Sequence, residues 1–204
     1  MKKALTFFFT LLIGLGAAAV VKQAFESYRS YELQAVLDDQ ADAFKEVLAT
    51  AEEGTEATTM QEYSSELLDK ELSIDRSSKQ KKASAMGVVL GSYSQQISRQ
   101  KLCQSLGVDI TVFVDAYEKV NGEFITAAEN FMFVENRLDK LDFYAMAQES
   151  EVSNIALTTD MDEVAKLLEG DYTDACQLFV SMAEEITEEM KILERFPQVE
   201  PYFQ

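Results

Sequence analysis

Histidine and tryptophan are both absent from this 204-residue chain. Without histidine, the Ser-His-Asp triad and most zinc, haem and di-iron ligand sets are unavailable. Proline is nearly absent too. The two prolines, Pro197 and Pro201, lie at the very end, and only eight glycines occur. So few helix breakers argue for long helices and against a many-turned β-sandwich. Beyond the first 25 residues, the one long stretch without an acidic residue is Arg76 to Val108.

The N-terminus lacks charge after its first residues. Lys2 and Lys3 precede 18 uncharged residues, 4–21, and the next charge is Lys22. This is the pattern of a membrane-targeting segment. A cleaved signal has an apolar core of about 7–15 residues and a small-residue site, which Ala17-Ala18-Ala19 supplies. A spanning helix needs about 17–25 apolar residues. Val20 and Val21 extend the run past the cut site, and helix-compatible sequence follows without a break. Residues 1–21 are therefore predicted to be an uncleaved inner-membrane anchor, with cleavage near Ala19 and a soluble periplasmic protein as the alternative. Both readings leave Lys2 and Lys3 inside and export residues 22–204.

The exported part is long enough for one domain, and 47% hydrophobic residues can build its core. Cys103 and Cys176 are the only cysteines. In an oxidising compartment an even cysteine count predicts a disulfide. There is no C-x-x-C and no histidine to make the pair redox-active or metal-binding.

Hydrophobic periodicity predicts an all-α bundle of six or seven helices. Residues 22–53 form one long amphipathic helix ended by Gly54. A short helix at about 60–72 follows a Thr59/Glu62 capping box. Helix 78–105 carries an apolar face of Met86, Val89, Leu90, Tyr93 and Ile97 and stops at Gly107. Asp109 caps a helix at about 110–120. Asn121-Gly122 marks a turn or a kink, and a helix at about 123–149 follows. ESEVSNIALTTD reads as a loop before helix 161–169. Asp171 or Thr173 then caps a final helix reaching Phe196.

Charge distribution is the most distinctive feature of the exported part. Apart from Lys2 and Lys3, the chain has 16 basic and 36 acidic residues, a net charge of −20. Within it, Arg76, Lys79, Lys81, Lys82, Arg99 and Lys101 lie in the acid-free stretch. One reading is internal: a basic helix beside acidic ones relieves self-repulsion. The other makes Arg76, Lys79, Lys81 and Lys82 a candidate interface for an acidic partner or anionic headgroups. Ala83, Gly87 and Gly91 follow at four-residue spacing, so Gly87 and Gly91 are candidates for a close helix crossing, in the core or in a homodimer seam.

The carboxylate motifs carry little. Asp38-Asp39-Gln40-Ala41-Asp42 has the D-D-x-x-D spacing that holds magnesium in some prenyl-diphosphate enzymes, but it stands alone and reads as a solvated helix face. Asp160-Met161-Asp162-Glu163 resembles the start of a calcium loop, without its glycine and distal Glu. It reads as the acidic first turn of a helix. No cofactor and no catalytic residue is assigned, and nucleic acid is a poor partner for so acidic a domain. The expectation is an acidic periplasmic protein-binding or accessory module tethered to the inner membrane, with a protein partner. The alternatives are a soluble periplasmic enzyme with a carboxylate-based site and a dimeric helical spacer.

Overall fold

The computed structural model describes residues 30–75 and 77–203, with side chains from Gln40 onward. The targeting segment 1–21, the first turns of the long helix and Arg76 lie outside the described residues. Among the described residues no strand occurs and no helix is long and apolar enough to cross a membrane.

The helices are α1 (Ser30–Thr50), α2 (Glu56–Ser73), α3 (Ser78–Ser105), α4 (Thr111–Glu129), α5 (Lys140–Glu149), α6 (Glu151–Leu167), α7 (Tyr172–Ser181), α8 (Ala183–Glu188) and α9 (Ile192–Arg195). A π-helical segment, Asn130–Glu135, continues α4, and a 3₁₀ segment, Pro197–Tyr202, follows α9. One continuous apolar core runs from Ala41 to Val199.

Helix α3 is the axis of this arrangement. Helices α2, α4, α5, α6 and α7 and the 3₁₀ segment all pack against it. Its start is set by a capping box. Ser77 Oγ accepts from the Gln80 amide at 3.3 Å, and Gln80 Oε1 accepts from the Ser77 amide at 3.1 Å. Its end is a Schellman turn. Gly107 stands at φ +82°, its amide donates to Gln104, and the Val108 amide donates to the Cys103 carbonyl at 2.9 Å. Glycine suits the left-handed position because it has no Cβ. The boundaries match the periodicity, but the amphipathic face does not. Residues 83–92 are buried without interruption, as are Ser94, Gln95, Gln96, Arg99 and Cys103. Over residues 83–92 the helix is covered on all sides and has no solvent face.

Several other boundaries differ from expectation. Helix α2 starts at Glu56, a turn before the Thr59/Glu62 pair, and Thr55 makes no side-chain cap. Asn121-Gly122 is not a turn; α4 runs through it. The buried Asn121 amide instead ties the C-terminus down. Its Nδ2 donates to the Met190 carbonyl at 3.2 Å and its Oδ1 accepts from the Ile192 amide at 2.9 Å. The expected 123–149 helix is broken between Asn136 and Asp139, where Arg137 takes φ +57°. Asp139 then caps α5 through the Asp142 amide at 2.9 Å.

ESEVSNIALTTD is helix rather than loop. Ser150 caps it, accepting from the Ser153 amide at 3.2 Å, and Val152, Ala156, Leu157 and Met161 are buried. A single serine cap between two helices leaves little loop signal in the sequence. The final helix is three short ones. Asp171 caps α7 through the Thr173 and Asp174 amides, and Asp174 reciprocates to the Asp171 amide at 3.1 Å. A side chain at Gly170 would collide with that Asp174 carboxylate. The chain then leaves helical geometry at Met182, φ −126° and ψ 29°, and again before α9.

Candidate functional site

Three clusters of polar chemistry stand out: the disulfide, a polar core on α3, and a ring cluster where α3, α4 and α5 meet.

Cys103 and Cys176 are bonded, with Cα atoms 5.6 Å apart, and both residues are fully buried. The bond joins α3 to α7 across 73 residues of sequence. One helical turn from Cys103 on α3 is Arg99, and three residues after Cys176 on α7 is Phe179. These two meet as well: the Arg99 guanidinium carbon lies 4.9 Å from the Phe179 ring centroid and 5.9 Å from that of Phe113.

Arg99 is therefore no surface charge. It donates to Asp160 of α6 and to Gln96 of α3, with the Arg99 and Asp160 side chains completely covered. Arg195 of α9 and Tyr117 of α4 lie close enough to act on the same pair electrostatically. Burial raises the Asp160 carboxyl despite Arg99, and burial lowers Arg99 despite Asp160. Burial also pushes Arg195 down to about 10 and Tyr117 upward. One carboxylate oxygen of Asp160, the Nε of Arg99 and both amide atoms of Gln95 have no hydrogen-bond partner. The cluster is sealed inside the core, and its chemistry is that of a buried ion pair.

Asp160-Met161-Asp162-Glu163 does not form the first turn of a helix; it lies in the middle of α6. Its three acids diverge. Asp160 faces Arg99, Asp162 accepts from the Tyr172 hydroxyl at 2.6 Å, and Glu163 accepts from the Ala57 amide at 2.5 Å. Glu163 is 7% exposed. Burial raises its carboxyl, while the Ala57 hydrogen bond opposes the shift. Asp42, from the D-D-x-x-D run, pairs with Lys45 at 3.2 Å. Among the described residues no acidic or cysteine cluster is arranged to hold a metal.

The remaining residues of the basic stretch divide. Lys79 is exposed, and Lys81 and Lys82 are half-buried. The Lys82 ammonium sits 5.2 Å from the Phe131 ring centroid, and Lys101 donates to Gln148 of α5. Gly87 and Gly91 are buried within the folded chain. The structure thus gathers Arg99, Cys103 and Cys176 into one region and leaves Lys79, Lys81 and Lys82 at the opposite end of α3.

The ring cluster was not singled out by its sequence. Tyr93, Phe133, Phe143 and Tyr144 meet edge-on or tilted, with centroids 5.6–6.1 Å apart. Tyr144 donates to Glu129 at 2.9 Å and Tyr93 donates to Glu118. Helical periodicity marks these rings as core, and only the break at Arg137 brings Phe133 back over α5.

No protein-family model matches the chain, and neither a curated protein nor a solved structure matches it.

Proposed function

We propose that this chain is an acidic protein-binding or accessory module of the cell envelope, held at the periplasmic side of the inner membrane by residues 4–21. The observation that carries this reading is how charge is sorted. Three of the five basic residues of α3 turn inward or onto neighbours: Arg99 into the core, Lys82 onto Phe131, Lys101 onto Gln148. Apart from Asp160 and Glu163, the described acidic residues stay outside the core, among them Glu184, Glu185, Glu188, Glu189 and Glu194. A surface so biased suits a basic protein partner and steers its approach. The internal reading of the basic stretch is favoured for Arg99, Lys82 and Lys101. The dimeric-spacer alternative would leave an apolar stripe open on α1 or α3. Ala41 and Phe44 of α1 are buried, and residues 83–92 of α3 are covered all round, which supports a monomeric module.

The test is crosslinked capture of the full-length protein from native membranes, with Lys79, Lys81 and Lys82 reversed to Glu in parallel. A specific basic protein held equally by wild type and a folded reversal supports the acidic surface as the interface. Loss of capture in the reversal moves the interface to the basic stretch. No specific capture sinks the reading. The tether is tested in the same membranes: the protein should resist high-salt and carbonate washes. Release with a new N-terminus near Val20 would show a cleaved, free periplasmic form.

A further inference from the structure

The corner between α4 and α5 already holds a cation in an aromatic box. The π-helical segment and α5 fold back on each other through Phe133, whose ring lies 5.6 Å from Phe143 and 5.9 Å from Tyr144. Lys140 Nζ sits 5.9 Å from the Phe133 and Tyr144 centroids and 2.7 Å from Glu129. The Tyr144 hydroxyl fixes the same Glu129 oxygen from the other side at 2.9 Å. Aromatic faces beside a positioned carboxylate are the chemistry that recognises an ammonium group.

Lys140 is a loose occupant. Its side chain is 53% exposed, against 26% for Glu129, and ion pairs of that kind are weakly held. The rim is built for contact. Leu141 at 81% and Val134 at 69% are the most exposed large apolar residues described. Glu135, Asp139 and Asp142, all exposed, stand around them. Single exposed apolar residues are ordinary, but here two flank one turn beside an aromatic–carboxylate box. Arg137 and Lys140, also exposed, lie in the same turn, so with Glu129 its acids outnumber its bases four to two, and this bias favours a basic partner over an acidic one or a lipid headgroup.

Resting on the protein-binding reading above, we infer that this corner receives a lysine-bearing, amphipathic segment of a basic protein. The partner's ammonium replaces Lys140 against Glu129, Phe133 and Tyr144. Its apolar residues cover Val134 and Leu141. Lys140 holds the box in its bound geometry until then and moves to solvent on exchange.

The experiment uses the full-length protein carrying ¹³C-labelled tyrosine, titrated with n-butylammonium, the lysine side chain without its backbone. Sodium at matched ionic strength is the control. In Lys140→Met the Tyr93 and Tyr144 ring signals should shift saturably at about tenfold lower concentration than in wild type, because the competing internal cation is gone. Tyr172 and Tyr202 should not move. Adding Glu129→Gln should abolish the response. Absence of a saturable shift in folded Lys140→Met, or equal shifts with sodium or at Tyr172, overturns the proposal. Lys140→Gln serves the same purpose if Lys140→Met does not fold. The capture experiment separates the two readings when run with Val134→Glu/Leu141→Glu. A partner lost only in that folded variant supports both. A partner held equally well keeps the protein-binding reading and overturns this corner as its interface. Saturable n-butylammonium binding with no partner captured overturns both.

Discussion

Arg99 and Asp160, 61 residues apart in sequence, form an ion pair with both side chains at 0% exposure. Taking two charges out of water is costly, and their attraction offsets this only with good additional partners. Arg99 has such partners in Gln96 and the rings of Phe113 and Phe179. Asp160 is less well served, with one oxygen unbonded. The pair selects one register of α3 against α6, since a slip of either helix would strand a charge in the core.

Removing one partner is therefore expected to be severe. Arg99→Met or Asp160→Leu should each cost about 3–5 kcal/mol of unfolding free energy, because the other charge stays buried and alone. The double variant should cost far less than the sum. Urea unfolding of all four proteins gives the coupling. Additive losses would mean that the pair is not a unit.

Glu163 gives a pH dependence of known sign. Burial raises its carboxyl above the ordinary value of 4.5. The folded state then binds a proton at higher pH than the unfolded state does. Its contribution becomes more favourable as pH falls through the raised value, and is complete below the unfolded one. Glu163→Gln is neutral throughout and still accepts from the Ala57 amide. It should match or exceed wild-type stability at neutral pH and lose that advantage toward pH 4.5. A variant-minus-wild-type melting difference that grows on acidification would refute this.

The Cys103–Cys176 bond closes a 73-residue span. In the chain-entropy argument it stabilises by about 4 kcal/mol, less any native strain. Oxidised protein should have no reactive thiol, and reduction under denaturing conditions should release two. Cys103→Ser/Cys176→Ser should melt well below wild type. Two titratable thiols in unreduced native material would contradict the bond.

Asn121 holds the chain end by two hydrogen bonds from one buried amide. Asn121→Leu leaves the Met190 carbonyl and the Ile192 amide without partners, at about 1–3 kcal/mol for each buried group. Amide hydrogen exchange should rise first at Ile192 and through α9. Unchanged protection there would show that packing of Phe196 and Val199 suffices.

How far the sequence could be read follows from the range of each interaction. The all-helical class, the limits of α3 and the turn at Gly107 were legible, because apolar spacing, capping serines and a left-handed glycine act within a few residues. The pairing of Cys103 with Cys176 followed from there being only two cysteines in a chain read as exported. The break at Arg137 was not legible, since no glycine or proline marks it. Nor was the helix beginning at Glu151, because its sequence mixes serine, threonine and asparagine on the outer face with Val152, Ala156 and Leu157 inside.

By itself, then, the sequence determined the helical class, the acidity and the chain's capacity for a disulfide, all properties of composition or of neighbouring residues. Only the tertiary structure decided which charges are solvated. Arg99 lies in the same basic stretch as Lys79, yet one is buried and the other exposed. Asp160 and Asp162 are two residues apart, and only Asp160 is in the core. Burial is conferred by helices distant in sequence: α3 is wrapped by α2, α4, α5, α6 and α7, and local spacing does not encode its neighbours.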